Sequence, residues 1–213
     1  MNVKELHSME AIDMSENRFQ LAGYLAIANA FLFPLSFVIA IVQGILTGVR
    51  FGYQGPIYGP SDLVMLVFTA FGIYILLRFK LYLHEHYNYS GIDSLIHASI
   101  WWGVLLQIGS LILRGMILLG WPDSELFGRI GMVVFMSISM LTIGVIDIMI
   151  AVKLMKIKDT LSDMMKVFLY ITLVAGICEV SILLVPISLI LIPVTNVVLA
   201  MIFLREKHEV EFV

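Results

Sequence analysis

The sequence is poor in what a water-soluble domain uses to cover its surface. Lysine, arginine, aspartate and glutamate make up only 14% of its 213 residues, against about a quarter in a typical soluble domain. There is one cysteine, Cys178, so no intrachain disulfide can form. The net charge is a mild −3 and no basic run is present, which removes nucleic acid from the expected partners. A phosphate-cradling glycine loop, a Gly-x-Ser-x-Gly elbow and a His-Glu-x-x-His helix are all missing. No arginine-rich helix at threefold spacing suggests a voltage sensor. These absences exclude the common nucleotide-dependent and hydrolytic chemistries and imply no cofactor.

Apolar residues are what the chain has in excess: 60% of it is hydrophobic, with a mean hydropathy of +0.98. A single water-soluble core of this length cannot bury that much apolar surface, whereas a lipid bilayer tolerates it. The expected fold class is therefore all-α, a polytopic integral membrane bundle in one transmembrane domain.

Charged residues punctuate the apolar runs and mark the helices. The expected spans are 21–49, 62–81, 95–119, 127–152, 166–185 and 187–204, after a cytoplasmic tail at 1–19. Each is measured against a hydrocarbon core that takes about 20 helical residues. The final apolar stretch is too long for one span, and Pro186 supplies the break because proline cannot continue a helix hydrogen-bond ladder. A re-entrant hairpin over 185–193 is the alternative, and Pro193 then reads as a kink.

Orientation follows from the loop cations. With the N-terminus in the cytoplasm, the inner side receives Lys4, Arg18, Arg78, Lys80, Lys153, Lys156, Lys158, Lys166, Arg205 and Lys207. The outer side receives only Arg50, Arg114 and Arg129. This bias obeys the positive-inside rule and places both termini in the cytoplasm. The implied location is the cell membrane, the inner one if the source is bacterial. Tyr53, Tyr58 and Trp121 suit the outer headgroup zone.

Polar groups inside the spans are the candidates for function, because hydrocarbon makes them costly to keep. Asp147 falls about 9 Å from the inner end of the fourth helix, and Glu179 about 20 Å into the fifth. Each must face the bundle interior or water. On the third helix Asp93, His97, Gln107 and Arg114 form a polar stripe. Gln107, Arg114 and Glu179 lie at comparable depth, which leads to the expectation that the third and fifth helices meet and that Arg114 compensates Glu179. Glu179, Asp147, Arg114 and Gln107 are thus the candidate solute- or ion-binding residues. Thr172 shares a face with Glu179, and Asn29 and Asn196 are expected to hydrogen-bond between helices.

The triplet His84-Glu85-His86, with His97 nearby, is a weak metal candidate, because metal-binding helices place histidines at i and i+4. Asn88-Tyr89-Ser90 matches a glycosylation pattern but falls on the cytoplasmic side. No catalytic residue is assigned. The leading expectation is a non-enzymatic bundle that binds or moves a small solute, ion or lipid. Its partners would be the bilayer and a second copy or a larger complex. The alternatives are an accessory subunit packed on a larger membrane complex, and an intramembrane metal enzyme built on the histidines.

Overall fold

The computed structural model describes residues 3–51, 59–118, 124–181 and 184–209; side chains at 3–18, 44, 47–51, 114, 116–118, 124–129, 132, 185 and 206–209 are not described. The described residues form six α-helices: α1 (Val3–Phe51), α2 (Pro60–Tyr87), α3 (Asp93–Leu118), α4 (Ser124–Met155), α5 (Asp163–Val180) and α6 (Val185–Glu209). No strand occurs among the described residues. The expected tail is helical and continuous with the first span, so α1 is longer than a bilayer needs. Tyr53, Tyr58 and Trp121 lie outside the described residues.

Five of the six helices contain stretches long and apolar enough to cross a membrane: Phe19–Gln43, Pro60–Tyr87, Asp93–Leu113, Val133–Met155 and Pro186–Arg205. The exception is α5, which has only 18 residues and carries Asp163, Lys166 and Glu179. At 1.5 Å per residue it reaches about 27 Å, close to a hydrocarbon core of about 30 Å. It ends at Val180, earlier than expected, and α6 starts at Val185. Pro186 therefore does not end a helix: it occupies the first turn of α6, where a missing N–H costs nothing. Pro193 lies inside α6, as expected.

Each helix packs on its neighbours in sequence, and α6 returns to pack on α1, so the six close into a ring. Across that ring α2 touches α5 through Phe79 and Phe168, whose ring centres are 5.0 Å apart. Phe19 of α1 stacks on Phe203 of α6, near the start of the apolar part of α1 and the end of that of α6, and this end of the bundle is called the terminal end.

The buried core is concentrated at that end. Phe19, Phe79, Tyr82, Leu83, Ile96, Leu154, Met165, Leu169 and Phe203 form one cluster drawn from all six helices. The connections lock it from outside. After α2, Asn88 takes a left-handed conformation with φ 47°, which asparagine tolerates, and the Tyr89 amide donates to the Leu83 carbonyl at 3.2 Å. The Tyr89 hydroxyl then donates to the Lys153 carbonyl at 2.9 Å, and Lys153 Nζ donates to the Gly91 carbonyl at 2.7 Å. This reciprocal clasp ties the α2–α3 loop to the end of α4. It also occupies the middle residue of the glycosylation-like triplet.

Burial raises the Tyr89 phenol above its ordinary pKa, so it stays a hydrogen-bond donor throughout the neutral range. Tyr89→Phe should cost about 1 kcal/mol, the net value of one hydrogen bond. A thermal melt in detergent checks this, and a variant as stable as wild type would show that the clasp contributes nothing.

Towards the far end packing loosens. Phe31, Ile41, Val133 and Ile190 are each more than half exposed. One tie described there is the Ser61 hydroxyl of α2, which donates to Gln43 Oε1 of α1 at 2.7 Å.

Candidate functional site in the bundle interior

Two glycines determine where α4 and α5 meet. A Cβ on Gly144 would fall 2.8 Å from the Gly176 carbonyl and 2.9 Å from Glu179 Cβ. A Cβ on Gly176 would fall 2.8 Å from the Gly144 carbonyl. The backbones are thus in direct contact, a packing mode that small residues allow in membranes. One turn from each glycine stands a carboxylate, Asp147 on α4 and Glu179 on α5. Asp147 is near enough for its charge to act on Glu179.

Glu179 is 5% exposed and its Oε2 has no hydrogen-bond partner. Asp147 lies in angle between Ala151 and Leu154, both fully buried, yet keeps some accessible surface. Among the described residues neither carboxylate has an ion-pair partner.

Only two of the four candidate residues come together. Gln107 faces α2, where its amide donates to the Thr69 hydroxyl at 2.8 Å. The Arg114 side chain lies outside the described residues. Its helix packs on α2 and α4, while α5 packs on α4 and α6. The expected α3–α5 seam is therefore not one of the bundle's main contacts, because α4 stands between them in the ring. Equal depth says which residues share a level, not which helices are neighbours.

The histidines diverge. His84 Nε2 meets Asp93 at 2.9 Å, and Lys80 Nζ lies 3.2 Å from the same carboxylate and 3.4 Å from His97 Nε2. A lysine ammonium thus sits where a metal would need to be. His86 turns away to stack on Tyr82, with centres 4.2 Å apart. Among the described residues no three His, Cys, Asp or Glu side chains converge as a metal site.

Three features escaped the sequence reading. Asp147 and Glu179 lie near enough to interact, Gly144 and Gly176 bring their helices into backbone contact, and Gly72 lies beside Asn29, whose Nδ2 would lie 3.7 Å from a Cβ at that position. The i, i+3 spacing of a small residue and a carboxylate, Gly144 with Asp147 and Gly176 with Glu179, was the available signal.

No family model, curated protein or solved structure matches the chain. The physical description stands as that of a multi-pass, membrane-type helical bundle with two neighbouring carboxylates beside the α4–α5 crossing.

Proposed function

We propose that the bundle binds a cation at Asp147 and Glu179, and that this binding serves movement of the cation across the membrane. The observation that carries the reading is Glu179: a buried carboxylate with an unpartnered oxygen, near a second carboxylate and no described cation. Two carboxylates in a low-dielectric interior must be neutralised by a bound cation or by protons, and intramembrane carboxylates of this kind mark ion and proton paths. The orientation that fits the loop cations puts the terminal end in the cytoplasm of a cell membrane.

The test is flux. Proteoliposomes holding the purified chain are given an imposed sodium or proton gradient, and its decay is followed with a trapped dye. The expected result is decay faster than in empty liposomes, lost in Glu179→Gln. Decay equal to that of empty liposomes, or unaffected by Glu179→Gln, would overturn the proposal.

A second reading rests on a separate observation, the exposed apolar side chains of the far half. Phe31, Ile41 and Val133 offer a surface that lipid, a second copy or a larger complex would cover. An accessory role predicts co-purification with a stoichiometric membrane partner.

A further inference from the structure

Glu179 is not the only buried side chain with an unpartnered polar atom. Asn29 Oδ1, on a residue 1% exposed, and Thr172 Oγ1, on a residue 4% exposed, also lack any hydrogen bond. In Thr172 this is a departure from the local habit. The hydroxyls of Thr69, Ser99, Ser139, Thr142 and Thr195 all donate to the carbonyl four residues back. The Asn196 amide does the same. Thr172 does not.

The helix faces bring these atoms to one region. On α5, Phe168, Thr172, Ala175 and Glu179 fall within an arc of about 60° at 100° per residue. On α2, Phe68, Gly72, Ile75 and Phe79 form a similar stripe. The Phe79–Phe168 contact turns the two stripes towards each other. Two turns along from it, α2 presents Gly72 and α5 presents Ala175, so both helices place small residues there. A Cβ on Gly72 would meet nothing nearer than the Asn29 amide nitrogen, at 3.7 Å. Asn29 therefore enters the same region from α1, and Thr172 and Glu179 flank it one turn below and one turn above. Of the four buried side-chain polar atoms without partners among the described residues, these three are oxygens; the fourth, Trp102 Nε1, belongs to α3, which packs on α2 and α4.

We infer that Asn29 Oδ1, Thr172 Oγ1 and Glu179 Oε2 are ligands for a partly dehydrated monovalent metal cation of sodium size, with Asp147 as the neighbouring charge. This rests on the proposed cation-binding role of the carboxylates and adds the ligand class and two ligands. An all-oxygen set suits a hard cation rather than a soft metal. Magnesium demands near-ideal octahedral geometry and gives up water reluctantly, and calcium takes six to eight oxygens, more than this apolar interior offers.

The test uses the full chain in detergent. Its melting temperature is measured against NaCl, KCl, choline chloride and MgCl2 at constant ionic strength, and at two pH values. NaCl should stabilise wild type saturably where choline chloride does not. Thr172→Val, nearly isosteric, should leave the melt in choline chloride unchanged and raise the apparent sodium Kd by about tenfold or more, the least that loss of a metal-supporting group costs. Asn29→Ala should weaken sodium binding likewise, and Thr172→Ser should retain it. A sodium response intact in Thr172→Val and Asn29→Ala would overturn the two ligands. A response to pH but not to sodium would overturn the metal cation while leaving the carboxylates as a proton site. Stabilisation by MgCl2 alone would overturn the monovalent assignment. A melt indifferent to every cation and to pH, or a sodium response unchanged in Glu179→Gln, would overturn the proposed function as well.

Discussion

Gly176→Leu is expected to abolish the folded, monodisperse protein. Even a Cβ at that position would lie 2.8 Å from the Gly144 carbonyl, 2.9 Å from Ile148 Cγ1 and 3.0 Å from the Ile148 amide nitrogen. Two of those three atoms are backbone, so no rotamer change relieves the clash; α4 and α5 must separate. Overpacking at a tight contact typically costs about 1–3 kcal/mol, and that range fits Gly176→Ala. Leucine adds three more carbons at the same crossing, and a domain with about 5–15 kcal/mol of total stability has little margin for them. The expected outcome is aggregation or a broad, low-temperature melt. Gly115→Leu is the control, because a Cβ there meets nothing within 4 Å. It should purify and melt as wild type does. Equal behaviour of the two leucine variants would show that the α4–α5 crossing is not a close backbone contact. Gly176→Ala carries a functional consequence too: moving α5 off α4 parts Asp147 from Glu179, so any cation response should weaken more than the melt.

Much of the fold was legible because charge is expensive in lipid and therefore rare outside helix ends. The run free of charge between Arg18 and Arg50 contains the apolar part of α1, and the pairs Arg78–Lys80 and Lys153–Lys156 mark the terminal ends of α2 and α4. The α5–α6 boundary was misplaced for a local reason. A proline reads as a stop when it lies inside a helix and as a start when it lies in the first turn, and composition around Pro186 does not distinguish the two. The site was legible only in part. Glu179 and Asp147 stood out because each is a charge in an apolar run. Their pairing did not, because it depends on which helices are adjacent, and the order of helices around the ring is a tertiary property. Asn29 looked like ordinary interhelical glue, and Thr172 stood out only by sharing a face with Glu179. Their missing hydrogen bonds show only once the packing around Gly72 is known.

Phe203→Ala is expected to destabilise the bundle by about 3 kcal/mol, the lower end of the range for deleting a buried aromatic. Phe203 is 1% exposed and joins three helices. Its ring stacks on Phe19 of α1, with centres 6.1 Å apart at 15°, and meets Tyr82 of α2 at 5.8 Å and 80°. Phe19 and Tyr82 also touch each other, 5.6 Å apart at 87°. Deleting one ring removes two aromatic pairs and opens a cavity where α6 closes on α1. The lower end applies because of the solvent. Lipid tails are as apolar as leucine, so burial against another helix returns little transfer free energy. What is lost is dispersion across the cavity, which surrounding side chains recover only in part. Phe31→Ala isolates that difference, since Phe31 is 70% exposed and already faces the lipid or its detergent substitute. It should change stability by no more than about 0.5 kcal/mol. If the two alanine variants melt alike, aromatic packing at the terminal end does not hold the ring closed. If they differ as expected, Phe203→Leu should recover part of the loss by refilling volume without restoring the aromatic pairs, which would separate the cavity from the ring–ring contribution.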